Sequence, residues 1–256
     1  LTIPCYLTSP VPFEGDAPPL IVNPHGGPYG VRTAATFNST NQFFASRGYA
    51  VLQVDFRGSG GYGSAYEKAG RGQYGEAMVD DLADGVRWAA EEGLADPARV
   101  CIYGASYGGY SALVAAVEYP ELYRCAISFA GLTDLRDHFR SAARDSSFYA
   151  NWLRRQVGDF WDDKERLRRI SPVHRAADFR APVMLIHGQL DRSVHWHQTH
   201  AMQQALIAAD KSVTVVLFDN EGHGLYWEEN RIKAHELMLA FIEDSLNPLQ
   251  VEPASE

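Results

Sequence analysis

Short apolar runs alternate with helical stretches along almost the whole chain, and this alternation restricts the fold more than any other feature. Strand-like runs lie at 20–22, 50–55, 100–103, 125–129, 183–187 and 213–218. Helical stretches fall at 35–47, 76–92, 106–118, 196–209 and 228–246. Several of the strand runs are apolar at successive positions, as strands covered by helices on both faces must be. Strands that alternate with helices predict an α/β fold, a mostly parallel sheet with helices on both faces. Within 76–92, Val79, Leu82, Val86 and Trp88 recur at spacings near three and four and predict an inward stripe.

At 256 residues, one domain over 1–256 is expected. Residues 1–19 hold five of the 13 prolines and suit an edge strand and turns. Residues 133–172, rich in Arg, Asp and aromatics, read as a helical excursion between two strands. Such insertions sit over the C-terminal ends of the strands, either as a solvated cap or in direct contact with substrate. Residues 247–256 read as a frayed tail.

Composition narrows the function classes. Hydrophobic residues are 46% and charged residues 21%, near globular averages, and the net charge is −9. An acidic chain without a basic block fits neither nucleic acid nor an anionic membrane surface. The longest apolar runs are strand-sized, too short to span a bilayer. Three cysteines cannot all pair, and Cys101 and Cys125 sit in apolar runs as buried thiols would. No disulfide framework is expected, which favours a reducing, cytoplasmic compartment. The start at Leu1 rather than Met leaves a removed leader, or a periplasmic or secreted location, open.

The chemistry concentrates at Val100-Cys101-Ile102-Tyr103-Gly104-Ala105-Ser106-Tyr107-Gly108-Gly109-Tyr110. A strand ends, Gly-x-Ser-x-Gly follows, and a helix begins. Glycines two residues either side of the serine permit a sharp, strained turn that lifts its hydroxyl above the sheet. The hydroxyl then faces a helix N-terminus, which favours an oxyanion. A nucleophilic serine needs a base, and the base needs an orienting carboxylate; in an α/β-hydrolase they follow in the order Ser, acid, His. Asp191 lies just past the strand at 183–187 and His223 just past 213–218. Asp219 and Glu221 are rival acids, but so near His223 in sequence they need a contorted loop. The N–H of Tyr107 supplies one oxyanion donor. The turn Asn23-Pro24-His25-Gly26-Gly27-Pro28-Tyr29-Gly30 supplies Gly27 as the second.

Five motifs in order now resemble the prolyl oligopeptidase family: His25-Gly26-Gly27-Pro28, Asp55 to Gly63, Gly104 to Gly109, His187-Gly188 to Asp191, and Gly222-His223-Gly224. The first two look most like acylaminoacyl peptidases, and Val194-His195-Trp196 looks more like the dipeptidyl peptidase branch. The resemblance implies serine peptidases with an α/β-hydrolase domain, with Ser106 as nucleophile, His223 as base, Asp191 as its partner, and Gly27 with Tyr107 as oxyanion hole. Where many relatives carry Arg or Asn just before the valine after the acid, this chain has Ser193. Relatives also carry an N-terminal β-propeller that admits only short peptides. Leu1 falls within what resembles the family's first strand pair, so a missing propeller domain is expected, with an apolar face where it packed. That face would invite self-association into a homo-oligomer.

Three rival signals are weaker. Gly58-Ser59-Gly60-Gly61-Tyr62-Gly63 fits a dinucleotide fingerprint, but Gly70, Gly72 and Gly75 predict irregular chain until Glu76, with no helix to receive a pyrophosphate. His195, His197 and His200 suggest a metal, yet read better as exposed histidines at a helix start. A non-catalytic binding module does not explain why Ser106, Asp191 and His223 all stand in place. The expected function is a serine hydrolase cleaving short peptides through an acyl-enzyme, with no metal or organic cofactor. A stand-alone carboxylesterase with the same triad is the alternative. Leu132, Phe139 and Trp152, beside Tyr107, are candidates for the first substrate pocket.

Overall fold

The computed structural model describes residues 1–11 and 15–247; the expected tail, from residue 248 on, lies outside the described residues. Seven strands form one sheet in the order β1-β3-β2-β4-β5-β6-β7. They are β1 (Cys5–Thr8), β2 (Leu20–Val22), β3 (Ala50–Val54), β4 (Val100–Ala105), β5 (Cys125–Phe129), β6 (Val183–Gly188) and β7 (Val213–Phe218). The proline-bracketed β1 is the edge strand, antiparallel to β3 with Cys5 opposite Val54. All the other pairings are parallel.

Helices cover both faces. On one lie α3 (Ala77–Glu91), α4 (Tyr107–Glu118) and α8 (His197–Ala208), whose Leu82, Leu113 and Met202 join Leu20, Ile102 and Leu185 in a core. On the other, α1 (Ser39–Ala45) and α9 (Glu228–Leu246) set Phe44, Met238 and Ile242 against Ile21, Val51 and Ile127. The short α2 (Ser64–Ala69) follows the glycine-rich turn after β3. The excursion between β5 and β6 contains α5 (Leu135–Asp145), α6 (Ser147–Gln156) and α7 (Lys164–Arg169).

Four expectations need correction. Trp88 is 43% exposed while Val79, Leu82 and Val86 are buried. Two residues beyond Val86 is about 200° around a helix, so Trp88 belongs to the opposite face. The helix expected at 35–47 starts at Ser39, because the Asn38 side chain accepts the Asn41 N–H and caps it there. Cys101 and Cys125 are register partners on β4 and β5, with Cα atoms 4.8 Å apart, and form a disulfide; Cys5 is free. The argument from free thiols to a reducing compartment loses its premise. Finally, α2 does begin at the end of the glycine-rich run, but a Cβ at Gly60 would lie 2.4 Å from the Gly30 carbonyl oxygen. The glycine at 60 serves the close pass of the Gly30 backbone.

Phe44 docks α1 on the sheet: it is fully buried and meets Tyr49 and Tyr103 edge-on, with centroids 6.3 and 6.4 Å away. Phe44→Ala is expected to destabilise the fold by about 3–5 kcal/mol, read as a lowered urea midpoint at unchanged slope.

Candidate active site

Ser106 stands between β4 and α4 at φ 58 and ψ −121, a conformation that L side chains rarely adopt. It costs on the order of 1–3 kcal/mol and persists only where the surroundings enforce it. The surroundings here are backbone. A Cβ at Gly104 would lie 2.3 Å from Gly108, and one at Gly108 would lie 2.2 Å from the Pro24 carbonyl oxygen. The Ser106 N–H donates to Phe129 O on β5 at 2.9 Å, tying the turn to the next strand. The hydroxyl is thus held at the N-terminus of α4, eleven of whose twelve residues are buried.

The ends of β6 and β7 bring the other two residues to it. His223 Nε2 lies 3.0 Å from Ser106 Oγ, and His223 Nδ1 lies 2.6 Å from Asp191 Oδ2. The two loops interlock: the Leu190 N–H donates to Glu221 O at 2.8 Å, and a Cβ at Gly188 would lie 2.3 Å from Gly222 O. Oδ1 of Asp191 accepts the N–H groups of Ser193 and Val194 at 2.8 and 2.9 Å. Burial alone would raise the Asp191 pKa, but hydrogen bonds from His187, His223 and Val194 hold it well below the usual carboxylate range.

Glu221, one of the rival acids, has another partner set. Fully buried, it accepts the Tyr226 and Trp227 N–H groups, both at 2.9 Å, and the Asn230 side chain at 2.8 Å. It closes the turn that carries His223. Its pKa is lowered as well, because these donors outweigh the effect of burial. Asp219 is exposed.

On the opposite side, His25 holds the loop containing Gly26 and Gly27. Its Nδ1 is 2.7 Å from Gly26 O, its Nε2 is 2.7 Å from Ser59 Oγ, and its ring stacks on Phe56. Burial lowers its pKa, against the Gly26 carbonyl and the Asp55 carboxylate. The Ser59 hydroxyl in turn donates to Phe56 O at 2.7 Å, which ties the ring to the turn after β3. Gly27 has φ +119, and a Cβ at neighbouring Gly26 would lie 3.4 Å from Ser106 Cβ, so this loop runs beside the serine. The Tyr107 side chain is core, packed between Phe56, Tyr74 and Tyr110, which leaves only its N–H for the oxyanion role expected from the sequence.

The three substrate-pocket candidates do not share one wall. Leu132 and Phe139 are buried in the core, and Phe139 turns to a hollow of about 370 Å³ with Ala150, Phe160 and Trp161. Trp152 is half-buried between Tyr29 and Tyr149, with centroids 5.7 and 5.8 Å away. Not foreseen was the pair His138 and Tyr149, joined at 3.0 Å. Burial first, then the nearby His195 and His223, lowers the His138 pKa to about 4. His197 and His200 flank Trp196 at 4.4 and 6.0 Å.

Asp191 and Glu221 predict a pH dependence of stability. Each has a folded pKa below its unfolded value of about 4, so each stabilises the fold above that value. The contribution is lost as pH falls through the depressed folded values. The thermal midpoint is expected to hold from pH 7 to about 5 and fall below about 4. In Glu221→Gln, part of that acid-dependent fall should disappear; a midpoint independent of pH down to 3 contradicts the assignment.

With this geometry in place, a sequence model of the prolyl oligopeptidase family matches residues 35–248. Dipeptidyl aminopeptidase BIII of Pseudoxanthomonas mexicana is 35% identical over 238 residues, which cover 90% of this chain and 34% of the relative. The acylamino-acid-releasing enzyme of Arabidopsis thaliana is 29% identical over 222 residues, covering 83% of this chain and 28% of the relative. Among solved structures, a Mycobacterium tuberculosis puromycin-hydrolyzing peptidase matches with TM-score 0.89 and 30% identity, over 98% of this chain and 38% of its own. The Pyrococcus horikoshii acylaminoacyl peptidase matches with TM-score 0.88 and 26% identity, over 99% of this chain and 41% of its own. The chain spans about a third of the length of the curated relatives it matches. With its mostly parallel seven-stranded sheet and the matched stretch, this chain has the α/β-hydrolase fold and belongs to the prolyl oligopeptidase family.

Proposed function

We propose that this chain is the hydrolytic part of a serine peptidase that cleaves short peptides through an acyl-enzyme. The observation that carries the reading is the strained Ser106, whose Oγ is 3.0 Å from an imidazole that is itself 2.6 Å from a buried carboxylate. Ser106 Oγ attacks the carbonyl carbon of the substrate while His223 Nε2 takes the hydroxyl proton. The N–H groups of Gly27 and Tyr107 receive the oxyanion. His223 returns the proton to the leaving amine, and the C–N bond breaks. Water, deprotonated by the same histidine, then hydrolyses the acyl ester and restores Ser106. Asp191 holds the Nδ1–H tautomer throughout and stabilises the imidazolium.

Peptides are favoured as substrates because the named relatives are peptidases. A further domain of the same protein, supported by the relatives' roughly threefold greater length, would restrict entry to short ones. The half-buried Trp152, with Tyr149 and Tyr29, offers an aromatic surface for the acyl side. Leu132 and Phe139 would act behind it, as core.

Ser106→Ala is expected to lower turnover by about three decades or more without changing the thermal midpoint, and to abolish fluorophosphonate labelling. More than a tenth of wild-type activity in the purified variant overturns the reading. Comparison of a nitrophenyl ester with a short peptide separates the classes: ester hydrolysis alone, in the presence of the rest of the protein, favours the carboxylesterase. His25→Ala is expected to reduce kcat about a hundredfold, the scale of one lost oxyanion donor, with KM little changed.

A further inference from the structure

Behind Asp191 lies a second histidine that the proposed reaction does not use. His187, at the end of β6, has no accessible surface. Its Nε2 is 3.1 Å from Asp191 Oδ2, the same oxygen that His223 contacts, and 2.8 Å from Val194 O. Both neighbours of Nε2 are acceptors, so the proton sits there and is shared between them. Nδ1 is then bare, and it lies 2.7 Å from the hydroxyl of Thr199, which is 2% exposed on α8. That hydroxyl donates to it.

We propose that Thr199 and His187 are positioning residues that extend the array to Thr199–His187–Asp191–His223–Ser106. The inference rests on the serine-hydrolase reading above. Thr199 fixes the orientation of the His187 ring, and the His187 N–H fixes Oδ2 of Asp191 and draws charge from it. Without the Thr199 hydroxyl, Nδ1 is a buried, unmatched lone pair, and the ring, no longer held at that nitrogen, turns its Nε2–H away from Oδ2 of Asp191 and toward Val194 O. Asp191 loses a donor, becomes more basic, and holds the protonated form of His223 more strongly.

Other titratable groups surround this chain. Arg192 and His195 lie on the Asp191 loop, Asp219 and Glu221 on the His223 loop, and His138 on α5. His138 is uncharged near neutral pH, and Glu221 is engaged by the N–H groups of its own turn. Neither changes charge across the range where a histidine base titrates, about pH 6 to 7.

The test measures kcat, KM and the pH profile of kcat/KM on a nitrophenyl ester for wild type, Thr199→Val, Thr199→Ser, His187→Phe and Ser106→Ala. Thr199→Val conserves shape and removes only the hydroxyl. It is expected to lower plateau kcat by about tenfold, the scale of one lost hydrogen bond to a charged group, at unchanged KM. The acid limb should move upward by about half a pH unit or more. Thr199→Ser, which keeps the hydroxyl, should restore both. His187→Phe should show at least the Thr199→Val effect wherever its melt shows it folded. A folded Thr199→Val with wild-type kcat and an unmoved limb overturns the proposal. So does Thr199→Ser as impaired as Thr199→Val, which would mark a packing effect. Activity retained in Ser106→Ala sinks the underlying hydrolase reading instead, so the two failures are distinguishable.

Discussion

An ionised carboxylate removed from water costs several kcal/mol unless donors replace its hydration, and Asp191, its side chain without accessible surface, is in that position. Four N–H groups compensate: two from the backbone of its own loop, one from His187 and one from His223. They come from three segments of chain, so the charge can be satisfied only when β6, its following loop and the loop after β7 are all in register. That requirement links packing to chemistry. The close pass of Gly188 beneath Gly222, and the Leu190 N–H on Glu221 O, are the backbone contacts that let the two loops converge.

The strain at Ser106 is the complementary case. Its φ of 58 is enforced from below by Gly104 and Gly108, which leave no room for side chains, and from beside by Phe129 O. The opposing stability comes from α4, which is nearly wholly buried between the sheet and α3. Burial of apolar surface at about 25 cal/mol per Å² makes a helix of this kind able to carry a locally unfavourable turn at its first residue. The hydroxyl's position is therefore a property of the core, set before any substrate arrives.

Features with a local cause were legible in the sequence. Runs of successive apolar residues marked β2 to β7, and the glycine pattern around Ser106 marked a turn whose geometry has few alternatives. Asp191 and His223 followed because each stands just past a strand end. Features set by register or by packing at a distance were not legible. Cys101 and Cys125 are partners only because β4 and β5 align them, and a sequence separation of 24 says nothing of that alignment. Glu221 was weighed as an acid by its sequence position, whereas the folded turn gives it three donors of its own. His187 is marked in the sequence, since a histidine within a buried strand run needs partners for both nitrogens. Thr199, twelve residues away on a different element, is not.

The excursion between β5 and β6 is tied through side chains to the loop that carries Gly27. It is fixed at its start by Gln198, whose side-chain Oε1 accepts the Thr133 and Asp134 N–H groups at 2.8 and 2.7 Å. Further on, Arg166 reaches Glu76 at 2.6 Å and the Gly72 and Val157 carbonyls at 2.5 and 2.7 Å. Between them the Tyr29 hydroxyl sits 2.9 Å from Gly70 O and 3.0 Å from Gln156 O, with Trp152 against its ring. Tyr29 lies two residues after Gly27, on the loop that His25 holds. Helix α6 and the loop carrying Gly27 are therefore held to one another through Tyr29. In the reaction proposed above, that loop is already held before substrate binds, so little ordering entropy is lost when the oxyanion forms.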